Sequence, residues 1–222
     1  MKLGQHFMID EKVLKKVADS ARLKAGEKVL EVGAGEGALT MGLVKRGADV
    51  IAIEKDEKLF RVLKEKFPTQ EIIGADALKI DWPPFDKCVS NLPYLISKKF
   101  VLKLLQQDFK LAVLVLQSEF AGKLAAKPRD KNYGVVSVCA QLCCDVELLD
   151  RIPKNAFKPQ PKVESRLVRL TPKGKLDAGF LQFVARMFQR RNRKVGDKRV
   201  SKLAPKDFLT IYWDNKQWPT ST

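Results

Sequence analysis

A short apolar segment that runs into a glycine-rich loop constrains the fold of this chain more than any other feature. Residues 28–32 read as a β-strand, and residues 33–37 are Gly-Ala-Gly-Glu-Gly. Glycines at alternate positions let the backbone turn tightly and approach a ligand closely, as the first loop of a Rossmann-like sheet requires. Residues 38–44 read as the helix that follows the loop. The sequence therefore predicts a strand–loop–helix unit that binds a nucleotide-like ligand.

Carboxylates end or follow the next two predicted strands. Glu54 follows the strand at residues 50–53, and Asp76 follows the strand at residues 71–73. Because the carboxyl ends of parallel strands meet at one edge of a sheet, where ligands bind, we expect both side chains at the site. Glu54 is placed to accept hydrogen bonds from both hydroxyls of a ribose.

The fourth predicted strand ends in Asn-Leu-Pro-Tyr at residues 91–94. The side-chain oxygen of Asn91 can accept a hydrogen bond from an exocyclic amine. Pro93 fixes one backbone dihedral and lacks an N–H, which leaves carbonyls near Leu92 and Pro93 as further acceptors. Tyr94 offers a face on which a base can stack. Taken alone, the four residues also fit a plain strand end with a half-buried tyrosine.

Two ligands are compatible with the glycine loop. Residues 33–38 fit a loose dinucleotide pattern, so NAD is an alternative. A dinucleotide fold does not predict Asp76 together with residues 91–94. S-adenosylmethionine needs acceptors for its ribose and its adenine amine, and an acidic edge suits its sulfonium cation but not a pyrophosphate. That edge carries Glu31, Glu36, Glu54 and Asp76. We therefore predict S-adenosylmethionine as the cofactor.

In combination, these motifs resemble those of the ribosomal RNA adenine dimethyltransferase family, whose members methylate adjacent adenines of small-subunit rRNA. The resemblance covers about residues 4–170 and is carried by residues 4–8, 31–37, 54, 74–77, 91–94 and 157–165. A weaker similarity continues through residues 188–191. His6 stands where the family often has asparagine, and the chain stops early relative to the family, which we interpret as a reduced C-terminal helical domain of the archaeal-like type.

The resemblance implies a role for each motif in the dimethylation of adenine during ribosome biogenesis. Donor binding is expected of His6, Met8, Gly33, Gly35, Glu54, Asp76, Ala77 and Asn91. The target adenine must be flipped out of its stack, and it is expected to contact Asn91, Leu92, Pro93, Tyr94 and Phe157. Tyr94 and Phe157 would stack on its two faces. Phe157 by itself also fits a core aromatic residue, but Pro159 and Pro161 favour a rigid surface loop that presents its ring.

The alternation of β and α segments predicts an α/β fold, a Rossmann-like and mostly parallel sheet. Two final β segments, residues 135–150 (which could open as a helix) and residues 165–170, have no long crossover between them and predict an antiparallel hairpin at its edge. We predict a methyltransferase domain at residues 1–172 and a reduced, helical and basic region at residues 173–222.

The charge of the chain favours a polyanionic partner. Lys and Arg number 42 against 26 Asp and Glu, a net charge of +16, which suits RNA. Residues 190–199 hold six basic residues against one acid, consistent with a solvated helix end or with an arm that contacts phosphates. Because the family docks rRNA with a helical domain here, we predict RNA contacts by Arg190, Arg191, Arg193 and Lys194.

Other features exclude competing classes of protein. The four cysteines lack zinc-site spacing, and His6 is the single histidine, so we predict no metal site. No apolar run has the length of a membrane span and no signal-peptide pattern is present, so we expect a cytoplasmic protein. We also expect it to be a monomer. Two alternative functions stay open: a resistance-type methyltransferase of large-subunit rRNA, and a non-catalytic RNA-binding assembly or transcription factor of the same fold.

Overall fold

The computed structural model of the chain describes residues 5–217, so Gly4 of the amino-terminal motif and residues 218–222 lie outside the described part. The strands are β1 (Phe7–Met8), β2 (Lys28–Val32), β3 (Asp49–Glu54), β4 (Glu71–Gly74), β5 (Lys87–Asn91), β6 (Leu111–Gln117), β7 (Cys144–Ile152), β8 (Phe157–Lys158), β9 (Ser165–Pro172), β10 (Lys194–Val195) and β11 (Lys198–Arg199). The helices are α1 (Glu11–Ser20), α2 (Ala38–Val44), α3 (Glu57–Lys66), α4 (Ser97–Leu104), α5 (Ser118–Leu124), α6 (Val135–Cys143), α7 (Ala178–Gln189) and α8 (Pro205–Gln217).

The main sheet has seven strands in the order β4-β3-β2-β5-β6-β9-β7. Strands β2 to β6 are parallel, whereas β9 pairs antiparallel with both β6 and β7. The chain moves outward from β2 to β4 and then returns to place β5 on the other side of β2. The order of the strands thus reverses between β2 and β5, and open α/β sheets bind ligands beyond the carboxyl ends of the strands at such a point. The predicted Rossmann-like sheet with an antiparallel edge hairpin is confirmed.

Helices cover both faces of this sheet. On one face the apolar sides of α1, α2 and α3 pack against β2, β3, β5 and β6. On the other face lie α4, α5, α6, α7 and α8. The strands are buried on both faces, which explains why β6 is an unbroken apolar run.

Side chains of Asp10, Asp56 and Asp177 accept backbone N–H groups at the starts of α1, α3 and α7, as helix-capping carboxylates do.

The region after residue 134 differs in detail from the prediction. Residues 135–150 were expected to form mainly a strand with a helical opening, and the structure resolves them into α6 followed directly by β7. Val135 and Val136 are β-branched, but burial of this segment against the sheet overrides that local preference. Residues 190–199 form neither a helix end nor an extended arm, because β10 and β11 pair as a hairpin around Gly196.

The residues after Pro172 pack on the same core as the sheet. Phe180, Val184, Phe208 and Tyr212 are buried in the cluster that also contains side chains of β2, β5 and β6. The division of the chain at residue 172 stays a prediction. No helix between residues 5 and 217 is both long and apolar enough to cross a bilayer.

Candidate active site

A cavity of about 580 Å³ opens at the point where the strand order reverses. It lies beyond the carboxyl ends of β2, β3 and β5 and is lined by residues from the amino-terminal segment, the glycine loop and the turn after β5. Every predicted donor-binding residue lines it: His6, Met8, Gly33, Gly35, Glu54, Asp76, Ala77 and Asn91. Leu92, Pro93 and Tyr94 line it as well. The sheet thus brings motifs that are up to 88 residues apart, from His6 to Tyr94, into one cleft.

The glycine loop adopts a backbone that other residues would strain. Gly33 has φ +74° and Gly35 has φ +59°, values in the left-handed region. A Cβ on Gly33 would lie 3.1 Å from Cδ of Pro93, and one on Gly35 would lie 2.9 Å from the ring of Phe7. The loop therefore packs directly against the Asn-Leu-Pro-Tyr turn and against residues 5–9, which we call the amino-terminal strip. Side chains at Gly33 and Gly35 would push these segments apart.

Glu54 is held rigidly at the end of β3. Its two carboxylate oxygens accept the backbone N–H groups of Gly35 (2.9 Å) and Asp56 (2.8 Å), and its side chain is buried. Each carboxylate oxygen has a second lone-pair direction. The carboxylate can therefore accept two further hydrogen bonds from a ribose without giving up its own partners.

Asp76 has one fixed and one exchangeable partner. Its Oδ1 accepts the backbone N–H of Leu78 (3.0 Å), and Lys55 donates to Oδ2 from 2.9 Å. The hydrogen bond from Lys55 is the main reason why the pKa of Asp76 lies below its usual value. Since Lys55 is largely exposed, Oδ2 can change partner to an adenine amine at little cost. Ala77 is buried beside it, and its carbonyl accepts the indole N–H of Trp82 (2.8 Å).

A third carboxyl group, Glu31, lies inside the cleft at the end of β2. It accepts the hydroxyl of Thr40 (2.7 Å) and is fully buried. Burial raises its pKa to about 8, and the neighbouring charge of Glu54 acts in the same direction. A cationic ligand in the cleft would favour the ionised form of this group.

Glu31→Gln is expected to stabilise the fold at neutral pH. Between pH about 4.5 and pH about 8 the folded chain keeps a proton that the unfolded chain has lost. The stability contributed by Glu31 is therefore complete below pH about 4.5 and falls as the pH rises through about 8, by at most about 1.4 kcal/mol per pH unit. Urea unfolding should show a larger advantage of the variant at pH 8 than at pH 5. The exposed Glu36→Gln is the control, and an equal advantage at both pH values would contradict the expectation.

Asn91 is oriented by the amino-terminal strip. Its Nδ2 donates to the backbone carbonyl of His6 (3.1 Å), and within residues 5–217 no group donates to its Oδ1, which is therefore available as an acceptor. The ring of His6 is fixed in turn, since its Nδ1 donates to the carbonyl of Pro159 (2.8 Å). The strip itself is held where β1 pairs with β8.

Tyr94 is also fixed. Its hydroxyl shares a hydrogen bond with Oγ of Ser165 (2.7 Å), and burial raises its pKa, so the phenol stays neutral. Its ring centroid lies 5.4 Å from that of His6. A base that stacks on Tyr94 would therefore lie close to the His6 ring.

Phe157 does not lie where the sequence predicts it. The expectation of a surface loop that presents this ring is wrong, because Phe157 is 2% exposed and packs in the core beneath α1 and α2. It is not among the side chains that line the cavity. Its backbone explains the burial, since Phe157 pairs with Met8 in the two-stranded sheet of β1 and β8. Its place in the fold is to anchor the amino-terminal strip.

The predicted RNA-binding residues lie apart from the cavity lining, around the β10–β11 hairpin. Arg190, Arg193 and Lys194 are exposed, whereas Arg191 is partly covered and donates to the carbonyl of Lys131 (3.4 Å). Phe7, Lys55 and Leu95 are among the cavity-lining residues to which the sequence analysis assigned no role. Each directly neighbours a residue that was singled out, and that adjacency is the one signal that the sequence held. Residues 5–217 contain no group of three His, Cys, Asp or Glu side chains that could hold a metal ion.

Sequence comparisons give matches along nearly the whole chain. A model of the family described as ribosomal RNA adenine dimethylase matches residues 1–216. The probable ribosomal RNA small subunit methyltransferase A of Thermococcus sibiricus is 45% identical over 202 residues, which cover 89% of this chain and 74% of that protein. The protein of the same name from Pyrococcus abyssi is 43% identical over 216 residues, which cover 95% of this chain and 80% of that protein.

Solved structures give the same result for the fold. A dimethyladenosine transferase from Plasmodium falciparum superposes with a TM-score of 0.85 at 26% identity, covering 96% of this chain and 98% of that one. The 23S rRNA methyltransferase ErmE superposes with a TM-score of 0.71 at 27% identity, covering 93% and 98%. Since the match in sequence and in fold runs through nearly the whole chain, it belongs to the ribosomal RNA adenine dimethylase family of S-adenosylmethionine-dependent methyltransferases.

Proposed function

We propose that this chain transfers methyl groups from S-adenosylmethionine to the exocyclic amine of adenines in small-subunit rRNA, two groups to each adenine. Relatives named as small-subunit rRNA methyltransferases support the choice of RNA. The observation that carries the proposal is the orientation of Asn91, whose Nδ2 is used by the His6 carbonyl. The carboxamide oxygen is thereby turned into an acceptor at the edge of an acidic nucleoside cleft.

The cleft fits the proposed cofactor by its chemistry. Glu54 has free acceptor directions for a ribose, and Asp76 has an oxygen that only an exposed lysine occupies. Glu31 adds a buried carboxyl group whose ionised form a bound cation would favour. Bound here, S-adenosylmethionine supplies a methyl group on a positively charged sulfur. Gly33 and Gly35 present only backbone to the cleft, because neither has a side chain.

Two acceptors at the end of β5 fit the two hydrogens of an adenine amine. One is Oδ1 of Asn91. The carbonyl of Pro93 is already used, since Ile96 N–H (3.1 Å) and the Ser97 hydroxyl (3.4 Å) donate to it. No residue in the described part of the chain donates to the carbonyl of Leu92. We therefore assign the second acceptor to Leu92.

These acceptors prepare the amine for transfer. With both hydrogens held by Asn91 and Leu92, the nitrogen lone pair is turned towards the cleft. No side chain has to remove a proton beforehand, because a charged sulfur is a good leaving group, and the amine loses its proton to solvent afterwards. Catalysis is then positioning together with a polar environment for the developing charge. Tyr94 supports the flipped base, and its hydrogen bond to Ser165 fixes the angle of the ring.

Residues 190–199, which include β10 and β11 and which we call the basic hairpin, are suited to contact the RNA backbone. Helix α7 runs antiparallel to α6, because Phe188 near its end contacts the ring of Tyr133, just before α6 begins. Lys173, which precedes α7, bonds to the carbonyl of Cys143 at the end of α6. Strand β7 follows α6 directly and runs parallel to β6, so the end of α6 lies at the amino edge of the sheet. The end of α7 and the hairpin after it therefore lie on the opposite side, towards the cleft.

Neutralising the hairpin should weaken rRNA binding and flatten its salt dependence. The triple variant Arg190→Gln, Arg193→Gln and Lys194→Gln should make this dependence less steep. We expect the slope of the logarithm of the binding constant against the logarithm of the salt concentration to shrink in magnitude by about two to three, since each lost phosphate contact removes about 0.7–0.9. Filter binding at several salt concentrations measures the slope. The control is the triple variant Lys58→Gln, Arg61→Gln and Lys64→Gln on α3, and an unchanged slope in the hairpin variant would make the hairpin a solvated surface only.

Purified ribosomal subunits that lack the modification test the function itself. With labelled donor, the expected product is N6,N6-dimethyladenosine in small-subunit rRNA, identified by nuclease digestion and mass spectrometry. Label in large-subunit rRNA would instead support the resistance-type alternative, for which the likeness to ErmE is the specific observation. No label in either subunit would favour a non-catalytic assembly or transcription factor. We further propose that the enzyme acts in the cytoplasm as a monomer.

A further inference from the structure

Leu95 is an apolar side chain that the fold leaves in solvent at the mouth of the active-site cavity. It is 85% exposed, whereas the other exposed large apolar residues of the described chain reach 44–55%. A single exposed leucine needs no explanation by itself. It is the position of Leu95 that indicates a function. Leu95 directly follows Tyr94 and lines the same cavity.

The turn that carries Leu95 is firmly held. Residues Tyr94–Ile96 form one 3₁₀ turn, closed by the bond from Ile96 N–H to the Pro93 carbonyl. Tyr94 is fixed by Ser165 on one side, and Ser97 is buried on the other. With three residues per turn, neighbouring side chains point about 120° apart. Tyr94 therefore points into the protein while Leu95 projects outwards from the same rigid support.

Positive charge flanks this leucine. Lys98 and Lys99 lie in the first turn of α4 and are exposed. Neither forms a salt bridge within residues 5–217. An apolar tip beside two unpaired cations is complementary to a nucleic-acid strand, whose bases are apolar on their faces and whose phosphates are anionic.

We propose that Leu95 inserts into the rRNA base stack at the position that the target adenine leaves, while Lys98 and Lys99 contact the phosphates beside it. This inference rests on the proposed function and adds a positioning residue to it. Extruding a base leaves a gap in the stack and costs free energy, and proteins that distort nucleic acids use leucine among other apolar wedges between base steps. A leucine that fills the gap lowers the cost of extrusion, while Tyr94 receives the extruded base.

The test compares Leu95→Ala and Leu95→Met on two RNAs. The first is the shortest rRNA fragment or particle that the wild-type protein methylates, and the second is the same RNA with an abasic nucleotide next to the target, which weakens the stack. Leu95→Ala should lower kcat/KM about tenfold on the first RNA and recover most of that loss on the second. Leu95→Met, which keeps the apolar volume, should stay close to wild type. Val62→Ala, which shortens another exposed apolar side chain on α3, is the matched control.

Two further measurements separate a wedge from an ordinary contact. Donor affinity and thermal unfolding should be unchanged in Leu95→Ala, because the side chain is exposed. With 2-aminopurine in place of the target adenine, the fluorescence increase on binding should be smaller for Leu95→Ala than for wild type.

Each contrary outcome overturns the proposal. Wild-type activity of Leu95→Ala on the intact RNA would show that nothing is inserted. An equal loss on both RNAs would show a contact that is independent of base extrusion. A loss on ribosomal particles but not on deproteinised rRNA would assign Leu95 to a protein contact. If the wild-type protein methylated no RNA, the proposed function would fail first, and the wedge would fail with it.

Discussion

Asn91→Ala is expected to lower kcat for methyl transfer by a factor of about 10²–10³, the usual cost of losing a hydrogen-bonding group that acts in a transition state. The variant removes the acceptor at Oδ1 and releases the His6 carbonyl that Nδ2 holds. Donor affinity should change little, because Glu54, Asp76 and the glycine loop keep their partners. Single-turnover transfer of labelled methyl groups measures the first effect, and calorimetry with S-adenosylmethionine measures the second.

Asn91→Asp separates the two bonds of this side chain. It keeps an acceptor oxygen but places a carboxylate oxygen against the His6 carbonyl, where no hydrogen bond can form. We expect it to retain more transfer activity than Asn91→Ala but to bind the donor more weakly, because a carboxylate oxygen repels the His6 carbonyl and displaces the amino-terminal strip, whereas alanine only releases that carbonyl. The exposed Asn132→Ala is the control. Near-normal turnover of Asn91→Ala would remove Asn91 from the reaction and with it the proposed site.

The part of this site that the sequence predicts depends on strand ends. Glu54, Asp76 and Asn91 could be assigned to one edge because each ends or follows an apolar strand of a β–α alternation, and parallel strands all end at the same edge. That inference requires no knowledge of the neighbouring strands. The three residues line one cavity, and their roles towards donor and RNA are proposals.

Contacts between distant short segments could not be predicted in the same way. The pairing of β1 with β8 joins two residues to two others about 150 positions away, and so short a strand has no periodic pattern. This pairing buries Phe157 and fixes His6, so it decides which aromatic ring faces the cavity. Nearby prolines in the sequence favour a stiff loop, but stiffness says nothing about the side on which a ring lies.

The hairpin at residues 194–199 and the exposure of Leu95 were missed for related reasons. Six of residues 190–199 are basic, so charge is the dominant feature of that segment in the sequence. The turn signal of Gly196, which has φ +57° in the structure, is easily overlooked beside it. Leu95 reads in the sequence as one more apolar residue before α4. Only the turn geometry shows that Tyr94 takes the inward position and leaves Leu95 outside.

Glu54→Ala is expected to weaken binding of S-adenosylmethionine by about 30-fold to 1,000-fold, since two charge-assisted hydrogen bonds to a ribose are together worth about 2–4 kcal/mol. The loss also frees the N–H groups of Gly35 and Asp56, which Glu54 holds at 2.9 and 2.8 Å, so the glycine loop should become less ordered. Calorimetry measures the affinity, and hydrogen exchange at the Gly35 amide reports on the loop. At saturating donor, the transfer rate should recover much further than it does in Asn91→Ala.

Glu54→Gln should be nearly as harmful, although it keeps the shape of the side chain. Both carboxylate oxygens of Glu54 accept a backbone N–H, so an amide at this position must direct its NH₂ group at one of those N–H groups. Glu57→Gln on the exposed surface of α3 is the matched control and should bind the donor like wild type. If Glu54→Gln kept wild-type affinity, the neutral acceptor alone would suffice, and the charge of Glu54 would have no part in holding the donor. If Glu54→Ala kept it as well, the donor would have to bind elsewhere than at the end of β3.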